Sequence, residues 1–165
     1  MRKLRPKVRK KVKNGKLWII SLIAVGGFML LNDKRPLGIR NNNAGNIRAT
    51  GNWQQWQGAI GKRRGFIIFD SPENGLRAMA RILKTYRDVH GLNTIDGILN
   101  RWAPPIENNT LSYIRHAENY TKVNRFYPLS EIDYPLLMSV MTLHENGVNP
   151  YSAKQFQIGM ERGFV

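Results

Sequence analysis

Apolar positions along this chain follow three rhythms, and each predicts a different kind of element. From Leu17 to Leu31 they run without a charged residue. Between Gln57 and Asp70 they read as a hairpin, with Gly61 and Lys62 able to turn and Gly65–Phe69 as the returning strand. Beyond residue 70 they recur at helical spacing. Leu76, Met79, Ile82, Leu83 and Tyr86 form one stripe, bounded by Ser71 as N-cap, Pro72 at the first helical position and Gly91 as the stop after His90. Ile95, Ile98, Leu99 and Trp102 form a second stripe over Thr94–Trp102, ended by Pro104 and Pro105. Thr110 is read as the cap of a third helix carrying Leu111, Ile114 and Tyr113 inward. A fourth follows Ser130, with Asp133 placed for a capping box, and closes at Gly147 and Pro150; a last one spans Ser152–Arg162, with Phe156 and Met160 packing back. The pattern predicts a mainly α (α+β) domain over residues 37–165, with a small β-hairpin lobe beside a cleft.

The segment before it belongs to a different environment. Residues 1–16 hold nine Lys or Arg and no acid, and Leu17–Leu31 follow as fifteen uncharged residues closed by a linker at 32–36. As a helix such a run reaches about 22 Å, short of the roughly 30 Å hydrocarbon core, so flanking Lys and Arg must snorkel or the bilayer thin. The reading is one retained N-terminal transmembrane helix, with Leu17, Trp18 and Leu31 in the anchor. A signal peptide competes, but no small-residue cleavage site follows and the basic stretch is long. The positive-inside rule leaves the N-terminus on the cytoplasmic side and sends the domain across the membrane.

Charge refines this picture. The formal net charge is +15, yet removing the first 16 residues leaves 17 basic against 11 acidic residues, about +6 for the remainder. The basic segment carries no interleaved aromatics and no nucleic-acid-binding motif, so its contacts with DNA or anionic lipid would be non-specific. Without cysteine there is no disulfide, thiol nucleophile or Cys-type zinc site. His90, His116 and His144 lack metal-ligand spacing, and no phosphate-binding glycine loop appears, so neither a metal nor another cofactor is expected.

The candidate chemistry is carboxylate chemistry. In LLMSVMTLHENGVNPYS, Glu145 falls in the last turn of an otherwise apolar helix. Helix carbonyl ends disfavour a carboxylate there and apolar neighbours desolvate it, and both raise its pKa, as a general acid requires. Glu107, in the Pro-bounded loop RWAPPIENNT, is the rival candidate. Asn41, Asn42, Asn43 and Asn46 crowd a turn-rich stretch from Leu37 to Gly51; they suit either turns or hydrogen bonds to sugar N-acetyl groups.

HENGVNPYS is similar to the helix end that carries the catalytic Glu in lytic transglycosylases and related glucosaminidases. GIRNNNAGNIRATGNWQQWQG and FIIFDSPENGLRAMARILKTY resemble the stretch that follows the catalytic helix in those families, but here they come first. That order implies a circularly permuted lysozyme-like domain, which surface termini tolerate. Over Leu37–Phe164 the chain also resembles phage and prophage virion proteins described as lytic, peptidoglycan-degrading or structural; Ala44 stands where those relatives have Pro.

The resemblance implies cleavage of the β-1,4 bond between N-acetylmuramic acid and N-acetylglucosamine in peptidoglycan glycan strands, with Glu145 serving as acid and then base to give a 1,6-anhydro product. Asn46, Trp53, Tyr113 and Tyr120 are the expected sugar contacts. The expected setting is a phage virion or host envelope membrane, with wall penetration as the task. Two other readings remain open: a non-enzymatic virion membrane protein that keeps the fold, and a DNA-organising factor acting through residues 1–16.

Overall fold

Local capping chemistry sets most helix boundaries, and the computed structural model shows where it does so. It describes residues 33–106 and 108–165; the basic segment 1–16, the anchor residues Leu17, Trp18 and Leu31, and Glu107 lie outside the described residues. After a single helical turn, α1 (Leu37–Arg40), come strands β1 (Ala59–Arg63) and β2 (Phe66–Phe69), then α2 (Pro72–His90), α3 (Ile95–Trp102), α4 (Thr110–Thr121), α5 (Tyr134–Asn146) and α6 (Ala153–Gly163). Short 3-10 turns sit at Trp53–Gln55 and Glu131–Asp133. The chain is thus mainly helical with one small antiparallel sheet. Residues 35–165 form one compact unit. Among the described residues no helix is long and apolar enough to cross a membrane.

Ser71 accepts from the Asn74 amide to start α2, and Gly91 ends it in the left-handed conformation at φ 66°. Thr94 caps α3 through the Gly97 amide, and Ser152 with Gln155 builds a capping box on α6. The Ser130–Asp133 capping box also forms, but it opens the 3-10 turn from which α5 continues. Two expectations need correction. Asn109, not Thr110, caps α4: its side chain takes the Ser112 amide at 3.2 Å, while the Thr110 hydroxyl is buried and donates to the Ala103 carbonyl. Leu111 consequently faces outward, 48% exposed, and Tyr113, Ile114 and Ala117 supply the buried face.

The hairpin turn also lies elsewhere than expected. Gly61 and Lys62 are within β1, and the chain reverses at Arg64 and Gly65, at φ 50° and 83°. Positive φ at both central residues is what a two-residue turn matched to strand twist demands. A third extended segment joins the sheet: Arg48 bridges Phe66, the Ile67 amide donates to the Ile47 carbonyl at 3.0 Å, and the Ala49 amide to Gly65 at 2.8 Å. Ile67 and Phe69 point into the core, whereas Phe66 and Ile68 face the other way and are partly exposed.

The core runs through Leu76, Met79 and Leu83 of α2, Ile95, Ile98 and Leu99 of α3, and Leu137, Met138 and Met141 of α5, all fully buried. α6 closes it by lying directly on α2. A Cβ at Gly159 would stand 2.7 Å from Leu76 Cβ, and one at Gly163 2.5 Å from Ala80 Cβ, so these two glycines are what lets the helix backbones approach.

Candidate functional site

The stretch Gly38–Ile47 is threaded between the sheet and α5, and its asparagines explain how. Asn43 is fully buried; its amide donates to the Ile47 and Ile67 carbonyls at 2.9 Å each, and its Oδ1 accepts the Ile47 amide at 2.8 Å. Asn42, held at φ 51°, donates to the Phe69 carbonyl. Asn146, at the end of α5, donates to the Ala44 and Thr142 carbonyls at 2.8 and 3.0 Å. These amides tie the loop's own carbonyls, at Ala44 and Ile47, to carbonyls of β2 and α5, and leave each with a donor. Gly38 has no room for a side chain, since a Cβ would lie 2.3 Å from Asn146 Oδ1 and 2.5 Å from Asn46 Oδ1. The asparagine cluster is therefore largely a structural joint, and only Asn46 reaches the cleft.

That joint places Asn46 beside Glu145. Asn46 sits at φ 48° and its Nδ2 donates to the Glu145 backbone carbonyl at 3.1 Å and to Oε2 at 3.3 Å. Trp102, in the last turn of α3, donates its indole N–H to Glu145 Oε1 at 3.0 Å. Gly45 makes this possible, because a Cβ there would meet the Trp102 ring at 2.8 Å. Burial raises the Glu145 carboxyl above its ordinary value, and the bonds from Trp102 and Asn46 pull in the opposite direction.

Glu145 stands in a cavity of about 400 Å³. Gly45 and Asn46 lie beside it, Ile47, Arg48 and Phe66 come from the sheet, Ile82 and Tyr86 from α2, and Trp102, Ala103, Pro104 and Asn108 from α3 and the following loop. The walls are aromatic and cationic. Tyr86 packs edge-on to Trp102 at 6.5 Å, Arg101 lies over Tyr86 at 5.2 Å, and Arg48 over Phe66 at 5.8 Å. Among the described residues lining the cavity, Glu145 is the one carboxylate.

The other expected sugar contacts lie elsewhere. Tyr113 is 1% exposed, its hydroxyl 3.4 Å from the Met141 carbonyl and its ring stacked on His144 at 3.6 Å. It is a core residue, with its hydroxyl pKa pushed up by burial and by the Glu145 charge. Tyr120 lies on the far side of α5; it bonds Ser139 at 3.0 Å and lines a separate cavity of about 470 Å³. Trp53 packs half-buried against the core beside the hairpin and does not line the Glu145 cavity. Each ring follows its own element's apolar face, and that face is not the cleft. His144, next to Glu145, turns toward Tyr113 and His116 instead, and its pKa is lowered by burial and by the His116 charge.

Trp102, Tyr86, Phe66 and Arg48 are the cleft residues the sequence reading did not assign. Trp102 carried the one usable signal: a tryptophan at a helix end next to a Pro-Pro pair has an indole N–H that needs an acceptor when half-buried.

No family model matches the chain. It is similar to Protein P5 of Pseudoalteromonas phage PM2, with 42% identity over 130 residues that cover 77% of this chain and 81% of that protein. With that identity over that share of both chains, the chain belongs to the family of phage PM2 Protein P5.

Proposed function

We propose that the domain is a permuted lysozyme-like, peptidoglycan-cleaving module of the lytic transglycosylase type, carried by a phage particle and held to a membrane through Leu17–Leu31. The observation that supports it most is the environment of Glu145: a half-buried carboxyl with a raised pKa, on the wall of an open aromatic cavity, with two side-chain donors on its two oxygens. Similarity to a phage protein supports the phage setting.

In this reading the Glu145 carboxyl gives its proton to the oxygen linking C1 of N-acetylmuramic acid to the next sugar, and that oxygen leaves as a hydroxyl. The resulting carboxylate takes the proton of the muramic 6-hydroxyl, whose oxygen attacks C1 to close the 1,6-anhydro ring. One residue serves both steps, so the raised pKa favours the first and the Trp102 and Asn46 bonds stabilise the charged form needed for the second. A hydrolase requires a second carboxylate about 5–9.5 Å away. None of the described cavity-lining residues supplies it.

One observation favours a second reading, a non-enzymatic phage membrane protein with an inherited fold. Trp102 and Asn46 occupy both Glu145 oxygens, and Asn46 also ties the Glu145 backbone, an arrangement that would serve equally as a clasp between the Asn loop and α5. Incubating purified sacculi with the full chain and with Glu145→Gln, and weighing the released muropeptides, separates the two. Anhydro-muropeptides from the native chain alone support the lyase. Reducing-end muramic acid indicates a hydrolase, survival of activity in Glu145→Gln moves the acid to Glu107, and no product from either supports the non-enzymatic reading. Retention in the membrane fraction after alkaline wash, lost when residues 1–31 are deleted, is the expected result for the anchor.

A further inference from the structure

The outer face of the small sheet carries a row of side chains that the chemistry at Glu145 does not use. In an antiparallel pair, directly opposite residues project from the same face. Phe66 is opposite Arg63 on one side and Arg48 on the other, so the three form one cross-strand row, guanidinium–phenyl–guanidinium. Phe66 and Arg48 line the Glu145 cavity, with Arg48 over the Phe66 ring at 5.8 Å. Arg63 and Arg48 are exposed, and Arg64 carries the positive charge on to the turn. The tie from the Ala49 amide to Gly65 and the Asn43 bonds behind the sheet hold the row against the cleft. Arginine presents paired donors that match a carboxylate, so two of them astride an aromatic ring make a margin suited to carboxylates carried beside a sugar ring.

We propose that Arg48 and Arg63 bind the carboxylates of the stem peptides on the glycan strand, so that the cleft selects peptide-bearing over denuded glycan. This rests on the peptidoglycan reading above and adds its substrate class. The site is electrostatic and solvent-facing, and its effect is expected to be modest and salt-sensitive, about tenfold in affinity at low salt.

The test uses the full chain and an Arg48→Gln/Arg63→Gln variant, each measured for co-sedimentation with intact sacculi and with sacculi stripped of stems by an amidase, and for product release from both. The native chain is expected to bind intact sacculi about tenfold more tightly than stripped ones. The variant should lose that preference and show a raised KM on intact sacculi. An Arg48→Lys/Arg63→Lys variant, which keeps the charge and removes the paired donors, should fall between the two and controls for folding. Equal binding of both sacculi by the native chain overturns the proposal, as does a preference that persists in the Gln variant. If the Gln variant loses binding to anionic phospholipid vesicles or duplex DNA while its sacculus preference is unchanged, the row is a phosphate site and the proposal is wrong. Binding preference without product in any reaction would sink the lyase reading while leaving this carboxylate margin supported.

Discussion

At the scale of single residues, Glu145 carries a conflict between stability and chemistry that pH can expose. Burial raises its pKa, so the folded chain keeps this proton to higher pH than the unfolded chain does. The corresponding stabilisation is fully present below the ordinary glutamate value and is lost as pH rises through the folded value. Glu145→Gln removes that titration. The stability difference between Glu145→Gln and the native chain should therefore shift in favour of the variant as pH rises above the ordinary glutamate value, and level off once the folded carboxyl is ionised, read from urea unfolding at several pH values. A difference that stays flat would mean that the carboxyl is not desolvated. Trp102 tests the opposing influence. Its indole N–H lowers the Glu145 pKa, so Trp102→Phe, which keeps an aromatic ring and loses the donor, should move the Glu145 titration to still higher pH in a carboxyl carbon-13 NMR series. A downward shift would show that Trp102 acts on Glu145 mainly as a desolvating wall.

Whole elements were readable from the sequence where their ends have chemical signatures. α2, α3 and α6 start at Ser71, Thr94 and Ser152 as expected, because each hydroxyl has an amide to accept three residues on. The hairpin turn is not legible, because a left-handed Arg64 gives no signal in sequence, while Gly61, which sits in the strand, looks like a turn residue. The candidate acid was legible from its own helix, but its partners were not. Trp102 is 43 residues away and Asn46 is 99, and nothing local in either segment says which helix end it will meet. The glycine seam between α2 and α6 was equally hidden, and it yields a prediction. Alanine favours a helix over glycine by up to about 1 kcal/mol, so an exposed Gly→Ala change in α6 would stabilise it. Gly159→Ala and Gly163→Ala should instead destabilise by about 1–3 kcal/mol, because the new methyl groups meet Leu76 Cβ in the first case and Ala80 Cβ and the Arg77 carbonyl oxygen in the second, all at under 3 Å. Urea midpoints decide the sign; a gain in stability would mean the helices separate at little cost.

For the whole unit from Arg35 to Val165, the question is whether the sheet and the helices are one cooperative body or two. A two-stranded hairpin is marginal on its own in water. This one is attached in three ways: Ile47–Ala49 lies along its open edge, Asn43 bonds the Ile47 and Ile67 carbonyls together, and Ile67 and Phe69 are buried in the same core as Leu76 and Met79. The Asn146–Ala44 bond then fixes the same loop to α5, across 102 residues of sequence. Opening the sheet alone would strand the buried Asn43 amide and expose Ile67 and Phe69, so the least costly opening is global unfolding. The Ile67 and Phe69 amides, bonded to the Ile47 and Asn41 carbonyls, should therefore exchange with solvent as slowly as the core amides of α2, near the limit set by global stability. Asn43→Ala should break this equality. It removes three buried hydrogen bonds, costs about 3 kcal/mol in urea unfolding, and lets the sheet amides exchange faster than those of α2. If the native sheet already exchanges orders of magnitude faster than α2, the hairpin is a separately hinged wall. The cleft would then be shaped by the ligand that closes it, and not held ready by the asparagine joint.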